Sequence, residues 1–155
     1  MGEAIYYMKA RFESAEAAQQ ALPRIKEFLE QMAKAESDWE KSFAPDNRTV
    51  GERFEELRTK NSSVFELLKL DKVFERKGKG DTSMNFLAGQ LSSPVRDPQW
   101  KIWRDGDDIV FHGTVWHYAD WEPMARAIEQ LGSDYAFYIS DEYENPLDSF
   151  DAKGR

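Results

Sequence analysis

The spacing of apolar positions along the chain changes several times, and each change predicts an element. Residues 4–12 (Ala-Ile-Tyr-Tyr-Met-Lys-Ala-Arg-Phe) alternate with period two and end at Glu13-Ser14, a strand followed by a helix cap. Tyr6, Met8, Ala10 and Phe12 share one face of it, and Ile5, Tyr7, Lys9 and Arg11 the other. Ala18, Leu22, Ile25, Leu29, Met32 and Trp39 then recur at three-, four- or seven-residue spacing. They predict one long helix ending near Lys41, kinked by Pro23, which lacks the backbone donor that a helix interior uses.

A loop at Ala44-Pro45-Asp46 follows. Thr49 with Glu52, and Ser63 with Glu66, each fit a capping box, so 49–59 and 63–75 read as two helices or as one broken at Asn61. Val50, Phe54, Leu57, Val64, Leu67 and Leu68 form a single apolar stripe across them. The periodicity stops at Arg76-Lys77-Gly78-Lys79-Gly80-Asp81, and 92–98 is a loop with two prolines. Trp100–Arg104 and Asp108–Tyr118 are β-rich runs joined by Asp105-Gly106-Asp107, a hairpin. Asp120 caps a helix with Pro123 in its first turn, apolar positions at Met124, Ala127, Ile128 and Leu131, and Gly132 at its end. Tyr135–Ile139 is a last strand. Residues 141–155 read as an acidic, flexible C-terminal tail.

The expected architecture is one α+β domain over 1–140. Without a helical insert at 42–99 between the first helix and the second strand, its order is βαββαβ, the ferredoxin-like arrangement around an antiparallel sheet. That likeness concerns element order and implies no function. A chain of 155 residues with 41% hydrophobic content is long and apolar enough to form a core.

Charge adds what periodicity does not show. The net −8 is concentrated: Asp105 to Asp151 holds twelve carboxylates, one basic residue (Arg126) and nine aromatic rings, a local −11. Residues 46–80 are the only basic segment, at +2. An acidic surface attracts a basic partner and repels a phosphate backbone, so direct nucleic-acid binding is not expected. No apolar run reaches the ~20 residues needed to span a bilayer, and the N-terminal residues lack signal-peptide features. There are no cysteines, which excludes disulfides, thiolate nucleophiles and cysteine-ligated metals. The expected compartment is the cytoplasm.

Candidate chemistry is sparse. On the strand 108–118, Ile109, Phe111 and Val115 form the more aliphatic face and are expected to pack on the helices. His112, Trp116 and Tyr118 are left on the open face, near Tyr138. An aromatic sheet face is how some RNA-binding domains stack bases, but their aromatic–glycine signature is absent here. The apolar stripe of the insert offers an alternative cover for this face. His112 and His117 point to opposite faces and cannot share a metal, and no cofactor is implied. Asp105-Gly106-Asp107-Asp108 is turn chemistry rather than a calcium loop.

Partner binding is therefore easier to support than catalysis. The expected role is an inhibitor or immunity-type antagonist of a basic protein. Its aromatic anchors would be Trp116, Tyr118, Trp121 and Tyr143, with Asp105, Asp107, Asp108, Asp120 and Glu122 as an electrostatic rim. Two alternatives stand beside it. One is an enzyme or small-ligand protein with a pocket between sheet and insert at His112, Trp116 and Tyr138. The other is a homodimer through the aromatic sheet face.

Overall fold

The computed structural model describes residues 3–43, 45–71, 87, 90–91, 101–116, 122–133, 135–141 and 146–150. Side chains are described for 9–43, 45–71, 87, 90–91, 101–113 and 123–133.

Strand β1 (Glu3–Arg11) lies in the middle of a five-stranded sheet. It pairs antiparallel with β3 (Asp108–Trp116) on one side and with β4 (Tyr135–Asp141) on the other. β2 (Lys101–Asp105) flanks β3 and β5 (Pro146–Phe150) flanks β4, giving the order β2-β3-β1-β4-β5 with every neighbour antiparallel. The fold is thus α+β with an antiparallel sheet. β5 departs from the tail expected after Asp141: 146–150 adds an edge strand to β4. Its short Pro-Leu-Asp-Ser-Phe segment alternates weakly, and its pairing comes from the edge that β4 offers rather than from its own pattern.

Helix α1 (Ala15–Lys41) follows the sequence closely. Ser14 has an extended backbone and its hydroxyl accepts from the Ala17 N–H at 3.1 Å, satisfying one orphan donor of the first turn. Pro23 stays inside the helix, on its exposed side. Ala18, Ala21, Ile25, Phe28, Leu29, Met32 and Ala35 form the buried face. Helix α2 (Val50–Lys60) starts with the expected capping box between Thr49 and Glu52. Helix α3 (Ser62–Leu67) starts without the side-chain cap expected at Ser63 and is interrupted at 68–69; helix resumes at 70–71, and 72–75 of the expected helix lie outside the described residues. Lys69 takes a left-handed φ of 54°, a conformation that ends helices. Helix α4 (Glu122–Gln130) ends at Gly132, whose φ of 112° suits glycine alone. The Gly132 N–H donates to the Glu129 carbonyl there.

All the described helices belong to one side of the sheet. Ala10, Phe12, Ile109 and Phe111 share a single core cluster with α1, with Met124, Ala125, Ala127 and Ile128 of α4, and with the insert residues Phe54, Leu57, Val64, Phe65, Leu68, Leu70, Leu87 and Leu91. α2 and α3 pack on α1, and α3 also on α4. The described part of the insert therefore backs the helical layer, and its stripe is matched to the C-terminal half of α1. These described insert residues do not share the face carrying His112. The alternation is the physical reason: Phe111 is buried among the helices, so His112 must point the other way. The rest of 72–99 lies outside the described residues, so the pocket expected at His112, Trp116 and Tyr138 falls partly outside them.

Because the insert shares this core, it is expected to unfold with the sheet. Phe54→Ala, at a fully buried ring packed edge-on to Phe65, should cost about 3–5 kcal/mol. In denaturant titration, far-UV circular dichroism and tryptophan fluorescence should fall in one coincident, down-shifted transition. Two separated transitions would show that the insert folds apart.

Candidate functional site

The hairpin between β2 and β3 turns on two residues, Gly106 and Asp107, with Asp105 and Asp108 as the last pair. Gly106 has φ +62°, and a Cβ there would have open space around it, so its glycine requirement is purely conformational. A positive φ at the first central residue alone is the signature of a II′ turn, whose twist matches the flanking strands.

Three contacts fix this tip to the body. Arg11 grips Asp108 with two bonds, Nε to Oδ1 at 2.8 Å and Nη2 to Oδ2 at 3.1 Å. The Phe12 N–H donates to the Asp107 carbonyl at 2.9 Å, extending the β1–β3 ladder to the turn. Arg104 donates from Nε to the Gln19 side-chain oxygen at 2.9 Å and from Nη1 to the Gly106 carbonyl at 3.1 Å, which ties the turn to α1.

These contacts divide the three predicted hairpin carboxylates. Asp108 is held by Arg11 within the sheet, with only 13% of its side chain exposed. Asp105 and Asp107 are exposed at the tip. Beside them, Trp103 is 38% exposed and packs edge-on to His112, ring centres 6.4 Å apart. Val110, between them on the same face, is buried at 2% yet is not part of the main core cluster. Trp103 is not among the anchors expected from the sequence. Its signal was the alternation Lys101-Ile102-Trp103-Arg104, which sets Trp103 opposite the core-facing Ile102.

The other predicted residues fall as follows. Trp116 ends β3, four register steps along the same alternation from His112 and paired with Glu3. Tyr138 pairs with Lys9 on β4. Glu122 is the first residue of α4. Tyr118, Asp120, Trp121 and Tyr143 lie outside the described residues. Among the described residues no group of histidines and carboxylates could hold a metal ion, and no helix is long and apolar enough to cross a membrane.

A second polar concentration lies where α1 meets α2, around a cleft of about 90 Å³. Asp46 accepts from Arg48 Nε at 2.8 Å and from Arg53 Nη2 at 3.2 Å, and Arg53 also donates to the Ser42 carbonyl at 2.7 Å. Glu56 bridges Arg48 and Lys60. Asp38 accepts from Lys34 at 3.0 Å and from Asn61 at 3.1 Å. Hydrogen bonds from Arg48 hold the Asp46 carboxyl at about 2. Burial pushes Asp38 upward, but the bonds from Lys34 and Asn61 outweigh it and leave the group below its ordinary value. Every cation in this network has a carboxylate or carbonyl facing it, so the cluster is a clasp joining the insert to α1.

No protein-family model, curated protein or solved structure matches this chain. The functional reading therefore rests on the residues themselves.

The clasp carries a pH dependence of definite sign. The folded-state value of Asp46, about 2, is below the ~3.9 of an unfolded aspartate, so its stabilisation is complete above that value and is lost as pH falls toward 2. Asp46→Asn should lower the urea midpoint at pH 6, with the gap from wild type closing as pH drops from 4 toward 2. A gap that stays constant over that range would show that Asp46 contributes through something other than its charge.

Proposed function

We propose that this protein is a small acidic binding module of the cytoplasm, of the inhibitor or immunity type, and that it recognises a basic protein surface. The sheet order, with β1 between β3 and β4 and β2 outside β3, we read as ferredoxin-like with β5 added at one edge. The observation that carries the functional reading is the clasped hairpin. Asp105 and Asp107 are exposed on a turn held by Arg11, Phe12 and Arg104, next to the exposed indole of Trp103.

Two physical arguments support it. A negative tip on a chain of net charge −8 steers a cationic partner during encounter. A tip already fixed in place loses little conformational freedom on binding, so more of the contact energy appears as affinity. Trp103 suits the role of anchor because a large rigid ring beside charged groups can cover a Lys or Arg side chain.

Capture of a basic protein by the immobilised chain should survive nuclease treatment and weaken by ~10-fold or more between 50 and 500 mM salt. Asp105→Asn with Asp107→Asn should slow association while leaving dissociation nearly unchanged, and Trp103→Ala should do the reverse. Capture that ignores salt, or that nuclease abolishes, would overturn the reading.

A further inference from the structure

The hydrogen-bond register of the hairpin determines what β2 offers along its outer side. The Phe12 N–H donates to the Asp107 carbonyl, so Arg11 and Asp108 form a pair without mutual backbone bonds. The backbone groups of Asp108 consequently face β2. Alternation then turns Asp105, Trp103 and Lys101 toward β3, and turns the N–H and C=O of Ile102 and Arg104 outward. β2 is one edge of the described sheet, and Lys101, Trp103, Arg104 and Asp105 are exposed along it. An open cleft of about 310 Å³ between the first turns of α1 and Arg104 leaves the helix side of this edge unroofed among the described residues.

The edge is self-complementary. Two copies of Lys101-Ile102-Trp103-Arg104-Asp105 set antiparallel about a twofold axis at Trp103 place Ile102 opposite Arg104 of the second copy. Both outward-facing residues are then in hydrogen-bonded pairs, four backbone bonds in all. The same register sets Lys101 opposite Asp105 of the second copy, twice by symmetry. It also brings the two Trp103 rings together in the pair without backbone bonds, where side chains approach most closely. A register centred on Arg104 would set arginine against arginine. Registers centred on Ile102 or Arg104 form only two backbone bonds within β2, so bond number and charge together favour the alignment centred on Trp103.

We propose that β2 is a dimerisation edge and that its occupant is β2 of a second copy, giving one continuous ten-stranded sheet. The interface is the strand edge; it uses Trp103 and Asp105, so it competes with a basic partner at the hairpin tip and does not rest on the binding function above. It closes by a twofold axis, so pairing stops at two chains. It also gives β2 a partner on the side where its outward groups would otherwise be an open template for aggregation.

The isolated protein is the sample, and its mass is followed by sedimentation over roughly a hundredfold range of concentration. The expected result is a shift from the 18.0 kDa chain to twice that mass. Lys101→Asp alone and Asp105→Lys alone each oppose like charges at both pairs and should weaken association about tenfold. The double exchange of both residues restores opposite charges in this register alone, and should recover wild-type association to within about threefold. Arg104→Ala loses the side-chain bonds to Gln19 and Gly106 but keeps the outward N–H and should still dimerise, whereas Arg104→Pro loses that N–H as well and should leave a monomer. Circular dichroism confirms that each variant keeps its fold. A wild-type chain that stays at 18.0 kDa throughout, or single exchanges as dimeric as wild type, or a folded double exchange that fails to recover, would each overturn the proposal.

Discussion

The structure depends on α1 serving as a wall shared by two layers. At 27 residues the helix is about 40 Å long, more than the ~30 Å of the nine-residue strand β1 beneath it. Its first turns reach β2 through the Gln19–Arg104 bond. Its last turns reach the insert through Lys34, Asp38 and Ser42, which meet Asn61 and Arg53. A helix that outruns its sheet leaves apolar surface uncovered, and Phe54, Leu57, Val64 and Phe65 supply the missing side. The polar clasp around Asp46 closes that junction at its rim, where water can still solvate the charges.

With the described helices committed to one face, the hairpin is positioned by the sheet register and by one tie to α1, the Arg104–Gln19 bond. That is why Arg11 and Asp108 matter beyond their own pair: they connect the central strand to the tip across 97 residues of sequence. The net charge of the chain supplies attraction, but the sheet supplies direction, because it decides which aspartates are held and which face solvent.

Periodicity made most of the fold legible. The long helix, the Thr49–Glu52 start, the hairpin and the helix closed by Gly132 all announce themselves through spacing or turn chemistry. Three things were not legible. The end of α3 depends on Lys69 adopting a left-handed backbone, which no glycine or asparagine signals. The pairing of 146–150 depends on an available edge rather than on its own pattern. The side that the insert covers depends on where α1 has apolar surface to spare. At the candidate site, the carboxylates were visible as a group, but only the register distinguishes Asp108, gripped by Arg11, from the exposed Asp105 and Asp107. Trp103 was hidden by the short strand around it.

The central place of β1 has a consequence for how the chain finds its fold. The neighbours of β1 come about 100 residues later for β3 and about 130 later for β4, so its ladders close only after a long loop has been brought together. The contacts among α1, α2 and α3 are much closer in sequence and can form without waiting for the sheet. Until β3 arrives, β1 is an alternating, partly apolar strand with two open edges. The order of the sheet thus places the local contacts of the fold in the helical layer and its long-range ones on β1, the strand that has most to lose from a slow search for partners.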